Sequence, residues 1–219
     1  MNTRELNSSI KALAEDGSDI KVVNPGARHN TIVGLFKQCK ITVEGSVGYY
    51  SASLLDGPEV TVEGNAGWAL GDNMMSGKIV VEKDAGASVG SSIRGGEIFI
   101  GGNAGARAGI SMKGGTLIIN GDSGFLTGFM MQKGKIIVCG DVGQAVGDSM
   151  YEGTIYAAGK IGSLGNDATM SDINEDELLE IWDILDKYGL EQKPKFKKIV
   201  SSRKLYHLDS LERLEKSSI

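Results

Sequence analysis

Apolar residues along this chain fall in pairs two positions apart, and the pairs return every nineteen residues. Ile41, Val60, Ile79, Ile98, Leu117, Ile136 and Ile155 form one column; Val43, Val62, Val81, Ile100, Ile119, Val138 and Ala157 form a second. A spacing of two is strand period, because successive side chains of a strand point to opposite faces. Glycine keeps the same step. Gly48, Gly67, Gly86, Gly105, Gly124, Gly143 and Gly162 occupy one column, and three more columns run through Gly64, Gly71 and Gly77. Each unit therefore predicts a short strand, a Gly-Asn or Gly-Asp corner, and further short segments bounded by glycine, with no segment long enough for a helix.

A unit of this size cannot enclose a core by itself. Stacked in register, each strand pairs in parallel with its copy one turn away. The predicted fold is all-β: a right-handed parallel β-helix, or solenoid, of about seven 19-residue coils with N- and C-terminal helical appendages. Seven coils at strand spacing would stand about 34 Å tall. The predicted organisation is a capping helix over 1–20, the solenoid over 21–168, and a C-terminal helix with a docking tail over 169–219. Gly26 falls in register with Gly45, so 22–39 adds a degenerate first coil. Leu6, Ile10 and Leu13 at helical spacing, followed by Gly17, predict a helix closing the open bottom, since solenoids need capped ends. Within 171–189, Asn174 and Glu177 form a capping box, Leu178, Ile181, Trp182 and Leu185 share a helical face, and Gly189 is the stop. The rest is basic around 193–198 and at Arg203 and Lys204, then helix-like over 210–216, and reads as a docking arm or solvated tail.

Three further columns bear on chemistry. The corner column Ser46, Asn65, Asp84, Asn103, Asp122, Asp141 and Lys160 has residue types that bond nearby backbone. A calcium ladder would need a Gly-Gly-x-Gly-x-Asp repeat, which is absent, so solvated corners are the better reading. Met74, Met112, Met131 and Met150 share a register with Leu55 and Ile93. Thioethers bind Cu(I), but Ile and Leu in the same column point to core packing. Between the inward columns, Val80, Phe99, Ile118, Ile137 and Tyr156 make an outward apolar stripe that water disfavours. Either the helix within 171–189 or a partner subunit covers it. Arg94 and Lys113, joined by Gln132 and Tyr151, share an outward column, with Arg107 on another. They read as a contact face for a partner or anion, or as a solvated charged face. The stripe with Arg94 and Lys113 is the candidate partner interface, and the Gly48 to Gly162 column is structural.

Composition narrows the class. Thirty-two glycines with 3 prolines among 219 residues would suit collagen only with Gly at every third position, and a Gly/Ser linker would lack the 41% apolar content. A TIM barrel takes about 250 residues and alternates strand and helix periods, unlike this chain. A net charge of −5 argues against nucleic-acid or polybasic membrane binding. Cys39 and Cys139 are too few to ligate zinc or an iron–sulfur cluster and read as reduced thiols. No signal peptide or apolar span appears, which predicts a cytoplasmic protein. His29 and His207 lie at opposite ends of the solenoid, outside any repeated column, and take structural or surface roles. The Gly-x-x-Gly runs follow the coil period instead of opening helices, so no dinucleotide or P-loop site is predicted. Hexapeptide acyltransferases repeat on six, which nineteen does not fit. Polysaccharide lyases and hydrolases carry long loops between coils, which this chain almost lacks.

The phrases GSVGYY (45–50), EGNAGWALG (63–71), MMSG (74–77), SSIRGG (91–96), AGARAGISMKGG (104–115), GFMMQKG (128–134), VCGD (138–141) and GDSMYEG (147–153) resemble the GXGXG family. That family includes the C-terminal β-helix domain of the glutamate synthase large (alpha) subunit, the stand-alone equivalent in N-methylglutamate synthase and, more distantly, one of the subunits of formylmethanofuran dehydrogenase. The likeness spans roughly residues 1–205. It implies a subunit with no catalytic residue, cofactor or metal of its own. Ammonia release belongs to an N-terminal-cysteine amidotransferase, and glutamate formation to an FMN barrel with an iron–sulfur cluster. This chain begins Met-Asn, so processing would not expose a nucleophilic Cys. The implied partners are a class II glutamine amidotransferase subunit and an FMN-binding glutamate synthase-like subunit, with a homo-oligomer also open. The alternative is a parallel β-helix enzyme acting alone on a carbohydrate.

Overall fold

The structure, a computed structural model, describes residues 1–203. Seven strands carry the repeat: β2 (Lys40–Glu44), β3 (Asp56–Val62), β4 (Ser76–Val81), β5 (Glu97–Ile100), β6 (Lys113–Ile119), β7 (Lys133–Val138) and β8 (Thr154–Ala157), preceded by β1 (Ile20–Val23). They stack in chain order as one parallel sheet, Ile41 opposite Val60, Val60 opposite Ile79, and Ile136 opposite Ile155. The chain is thus the right-handed parallel β-helix that the period predicts. Register is held by burial: both inward columns are almost wholly shielded from water from Ile41 to Ala157, and a slip of one residue would turn them outward. The degenerate first coil exists, but its strand is β1, with Ile20 opposite Ile41.

Two other sides complete each coil. One is a line of single-residue parallel bridges, from Val47 and Ala66 through Ala85 and Ala104 to Ile161. The other is a double bend. Ser88 and Arg107 have φ of 60°, and Ser92 and Ser111 have φ of 55° and 53°, with their counterparts in neighbouring coils alike. Left-handed backbone costs a non-glycine residue roughly 1–2 kcal/mol. The bends persist because they stay in the ladder: the Ser88 and Ser92 N–H groups donate to the carbonyls of Ala106 (2.8 Å) and Ile110 (2.9 Å) in the next coil.

The first glycine column is explained by contact between backbones. A Cβ on Gly105 would lie 2.7 Å from the nitrogen of Ala87 and 2.9 Å from the carbonyl carbon of Gly86, and a Cβ on Gly124 would repeat both distances one coil higher. A second column has both positive φ and no room. Gly134 (φ 102°) and Gly153 (φ 94°) face the methyl carbons of Met112 and Met131, which a Cβ would meet at 2.8 and 2.7 Å. The methionine column is core, as its Ile and Leu members imply: Leu55, Met74, Ile93, Met112, Met131 and Met150 are all buried.

At the bottom, α1 (Thr3–Glu15) starts at Asn2, whose side chain accepts from the Glu5 N–H in a full capping box. It buries Ile10 and Ala14. Leu13, expected inward, is exposed, because the line from Leu6 through Ile10 to Ala14 faces the stack and leaves Leu13 at its edge. At the top, the basic segment expected as an arm is instead β10 (Lys197–Ser201), inserted antiparallel between β8 and β9 (Ala168–Ser171). Ile199 is the reason: it sits opposite Ile155 and extends the inward column to the end of the sheet, fully buried. The helix-like run 210–216 and His207 lie outside the described residues.

The backbone contact can be tested at one glycine. Gly105→Ala should lower unfolding free energy in urea by about 2 kcal/mol through overpacking, while Ala106→Ser, one position outward, should change it by less than about 0.5 kcal/mol.

Candidate functional site

The outward stripe is covered from within. α2 (Glu175–Asp186), with Asn174 and Glu177 exchanging capping-box hydrogen bonds, lays Ile181, Ile184 and Leu185 against it, and the following segment adds Phe196 with Tyr188 and Leu190. Phe99, Ile118, Ile137 and Tyr156 are buried; Val80, at the lower margin, is half-buried. The candidate partner interface is corrected accordingly: these four are interior contacts of the chain's own helix. Leu178 and Trp182, expected on the packing face with Ile181 and Leu185, are only half-buried, and Ile184, outside that expected face, is buried.

Polar contacts clamp this cover. Glu177 Oε1 accepts from Lys198 Nζ at 2.5 Å and from the Tyr156 hydroxyl at 3.1 Å. The Lys198 hydrogen bond above all holds the Glu177 carboxyl below the ordinary carboxylate range, against the opposing effect of burial. Burial raises the Tyr156 phenol, and the Glu177 charge raises it further. Tyr188 stacks on Phe99 with ring centroids 4.0 Å apart, donates to Glu97, and carries Lys78 Nζ 4.5 Å from its own centroid. Its hydroxyl is likewise raised, first by burial and then by the Glu97 bond. Lys135 pairs with Glu180. Beside the cover, burial pushes the Cys139 thiol up to about 11, and Leu185 and Leu190 line the space next to it. On the other flank an open groove of about 1000 Å³ has Ile173, Leu178, Trp182 and Phe196 as its floor and Lys193, Lys195 and Lys197 at its rim.

The corner column performs a task beyond solvation. Its side-chain oxygens accept the backbone N–H of the residue nineteen positions later: Asp84 to Asn65 (3.1 Å), Asn103 to Asp84 (2.7 Å), Asp122 to Asn103 (2.8 Å), Asp141 to Asp122 and Lys160 to Asp141 (both 2.7 Å). A short side chain with an acceptor oxygen is what each corner needs. Among the described residues, no three or more His, Cys, Asp or Glu side chains are grouped so as to hold a metal ion. None of their helices is long and apolar enough to cross a membrane.

The bends present a different surface. Arg94 and Arg107 are exposed and Lys113 half-exposed there, as their outward columns imply. Around them stand exposed apolar side chains absent from the sequence-predicted interface: Trp68, Met75, Phe125 and Met130. His29 joins this surface. Its Nδ1 accepts the Tyr49 N–H at 2.9 Å, its ring stacks on Tyr49 with centroids 4.3 Å apart, and Tyr49 stacks on Trp68 at 5.1 Å. The signal was a register of aromatics, Tyr49, Trp68 and Phe125, masked by Ala87 and Ala106 between them. His29 is twenty positions before Tyr49 and so falls outside the nineteen-residue step.

Comparison with known proteins agrees with this architecture. Residues 26–202 match the family model described as the GXGXG motif. No curated protein matches the chain. Among solved structures, a chain of the formyltransferase/hydrolase complex (FhcABCD) from Methylorubrum extorquens, crystallised with methylofuran, is similar at 26% identity and a TM-score of 0.55, over 70% of this chain and 68% of that one.

The clamp on α2 gives a pH dependence with a defined sign. Because the Glu177 pKa is lowered in the fold, its contribution is complete above the ordinary value of 4.5 and is lost as the pH falls through the lowered one. The protection factors of α2 amides, taken against the intrinsic exchange rate at each pH, should therefore fall on acidification from pH 6 to pH 3 more than those of β5 to β7. At pH 8, Glu177→Gln should speed alkylation of Cys139 several-fold, by loosening the cover beside the thiol.

Proposed function

The chain belongs to the GXGXG family, and from that premise we propose that it is a non-catalytic structural subunit of a multi-subunit glutamate synthase or N-methylglutamate synthase. In this reading it holds a class II glutamine amidotransferase chain and an FMN-binding synthase-like chain, and FMN and an iron–sulfur cluster reside on the latter. The observation that carries the reading is the match over 26–202, which takes in nearly every coil. The coils themselves support it. Strands, corners and bends return in register with no long insertion from which a substrate pocket could be built, and such a stack offers fixed outer faces. The similarity to a chain from a multi-subunit assembly supports a subunit role.

That similarity also favours a second reading, in which the partners are chains of a formyltransferase/hydrolase assembly. The two differ in what travels with the protein. With a tag on this chain in its native host, the first reading expects co-purifying FMN absorbance and ammonia release from glutamine, both lost when the chain is isolated. Co-purifying formyl-transfer activity would decide for the second. A lone chain that turns over a carbohydrate would overturn both.

A further inference from the structure

Resting on the reading that this chain holds others, we propose that its bend side, from the coil of Trp68 to that of Tyr151, is the seat of a different protein chain. That chain would present carboxylates and at least one planar apolar side chain.

The aromatic ladder gives the first reason. His29, Tyr49 and Trp68 stack with their rings 15° and 17° from parallel, and the column then continues through Ala87 and Ala106 to Phe125. With strands about 4.8 Å apart, Trp68 and Phe125 begin about 14 Å apart, so two rungs of the ladder are vacant. Trp68 is 58% exposed and Phe125 47%. A partner's ring entering this notch meets the indole face that Tyr49 does not use. Aromatic, methionine and arginine side chains around such a notch are the composition of an interface core.

Charge gives the second. Arg94, Arg107 and Lys113 lie on the middle coils, and none of them pairs with a carboxylate among the described residues. The acids of this side stand at its ends, Asp72 below and Asp148 and Glu152 above. A second copy does not fit: a two-fold contact centred on the patch would set these cations against their own copies. A carboxylate-bearing surface on another chain fits them, the arginines by bidentate pairing.

Hydroxyl-radical footprinting tests the proposal on the tagged native complex and on the isolated chain. Oxidation of Trp68, Met75, Phe125 and Met130 should fall at least about five-fold in the complex, as for buried interface anchors, while exposed Met170 and Leu179 keep their rates. The triple variant R94E/R107E/K113E should release the partner with the solenoid's circular dichroism unchanged, while K83E/K160E, on the corner side, should retain it. A complex in which the bend residues oxidise as fast as in the isolated chain would overturn the seat and leave the scaffold reading standing. Protection of the same residues by self-association of the isolated chain would also overturn it. If no other chain co-purifies, the scaffold reading falls, and this proposal with it.

Discussion

Everything in this molecule depends on backbone resting on backbone. At the Gly86, Gly105 and Gly124 corners the main chain of one coil touches that of the next so closely that no Cβ fits between them. That approach fixes the separation of the coils at strand spacing on a side where a single bridge per coil does the pairing. It also keeps the double bends in hydrogen-bonding range of their copies, which is why left-handed serine, arginine and leucine persist there. Glycine here is the residue of closest contact, and the chain rich in it is stiff.

Once the spacing is fixed, each column acts as a unit. An oxygen at one corner is always within reach of the N–H above it, so Ser, Asn and Asp form a continuous ladder in place of separate solvated turns. An apolar side chain repeated on an outward face becomes a strip too long to leave in water, and α2 is recruited to it. The cover is held by few polar contacts, Lys198 to Glu177 and Tyr188 to Glu97 among them. It is therefore the part of the molecule whose attachment responds to pH. On the bend side the same multiplication works without a cover: aromatic rings stack where the column supplies them and leave a notch where it supplies alanine.

Much of this was legible in the chain. The strand columns, the methionine core, the capping box of α2 and the stop at Gly189 follow from spacing and residue type, and each is local or repeated. What escaped was neither. β10 carries no repeat signal, because it pairs antiparallel with β8 and β9 and belongs to no coil. The outward position of Leu13 depends on how α1 rolls against the stack, and helical spacing alone leaves that angle open. His29 meets Tyr49 only because the first coil is longer than the rest.

The sequence by itself determined the period, the parallel stacking, which side chains of the repeated strands enter the core, and where glycine must stand, since all of these follow from a pattern that every coil repeats. The tertiary structure decided which of two covers the apolar stripe takes, and so which face stays open. The reason is physical. Residue spacing tells how an element is built, but whether α2 reaches Phe99 and Tyr156 depends on the direction in which β9 and β10 send the chain. With that side filled, the exposed rings and arginines of the bends are the face that α2 leaves open.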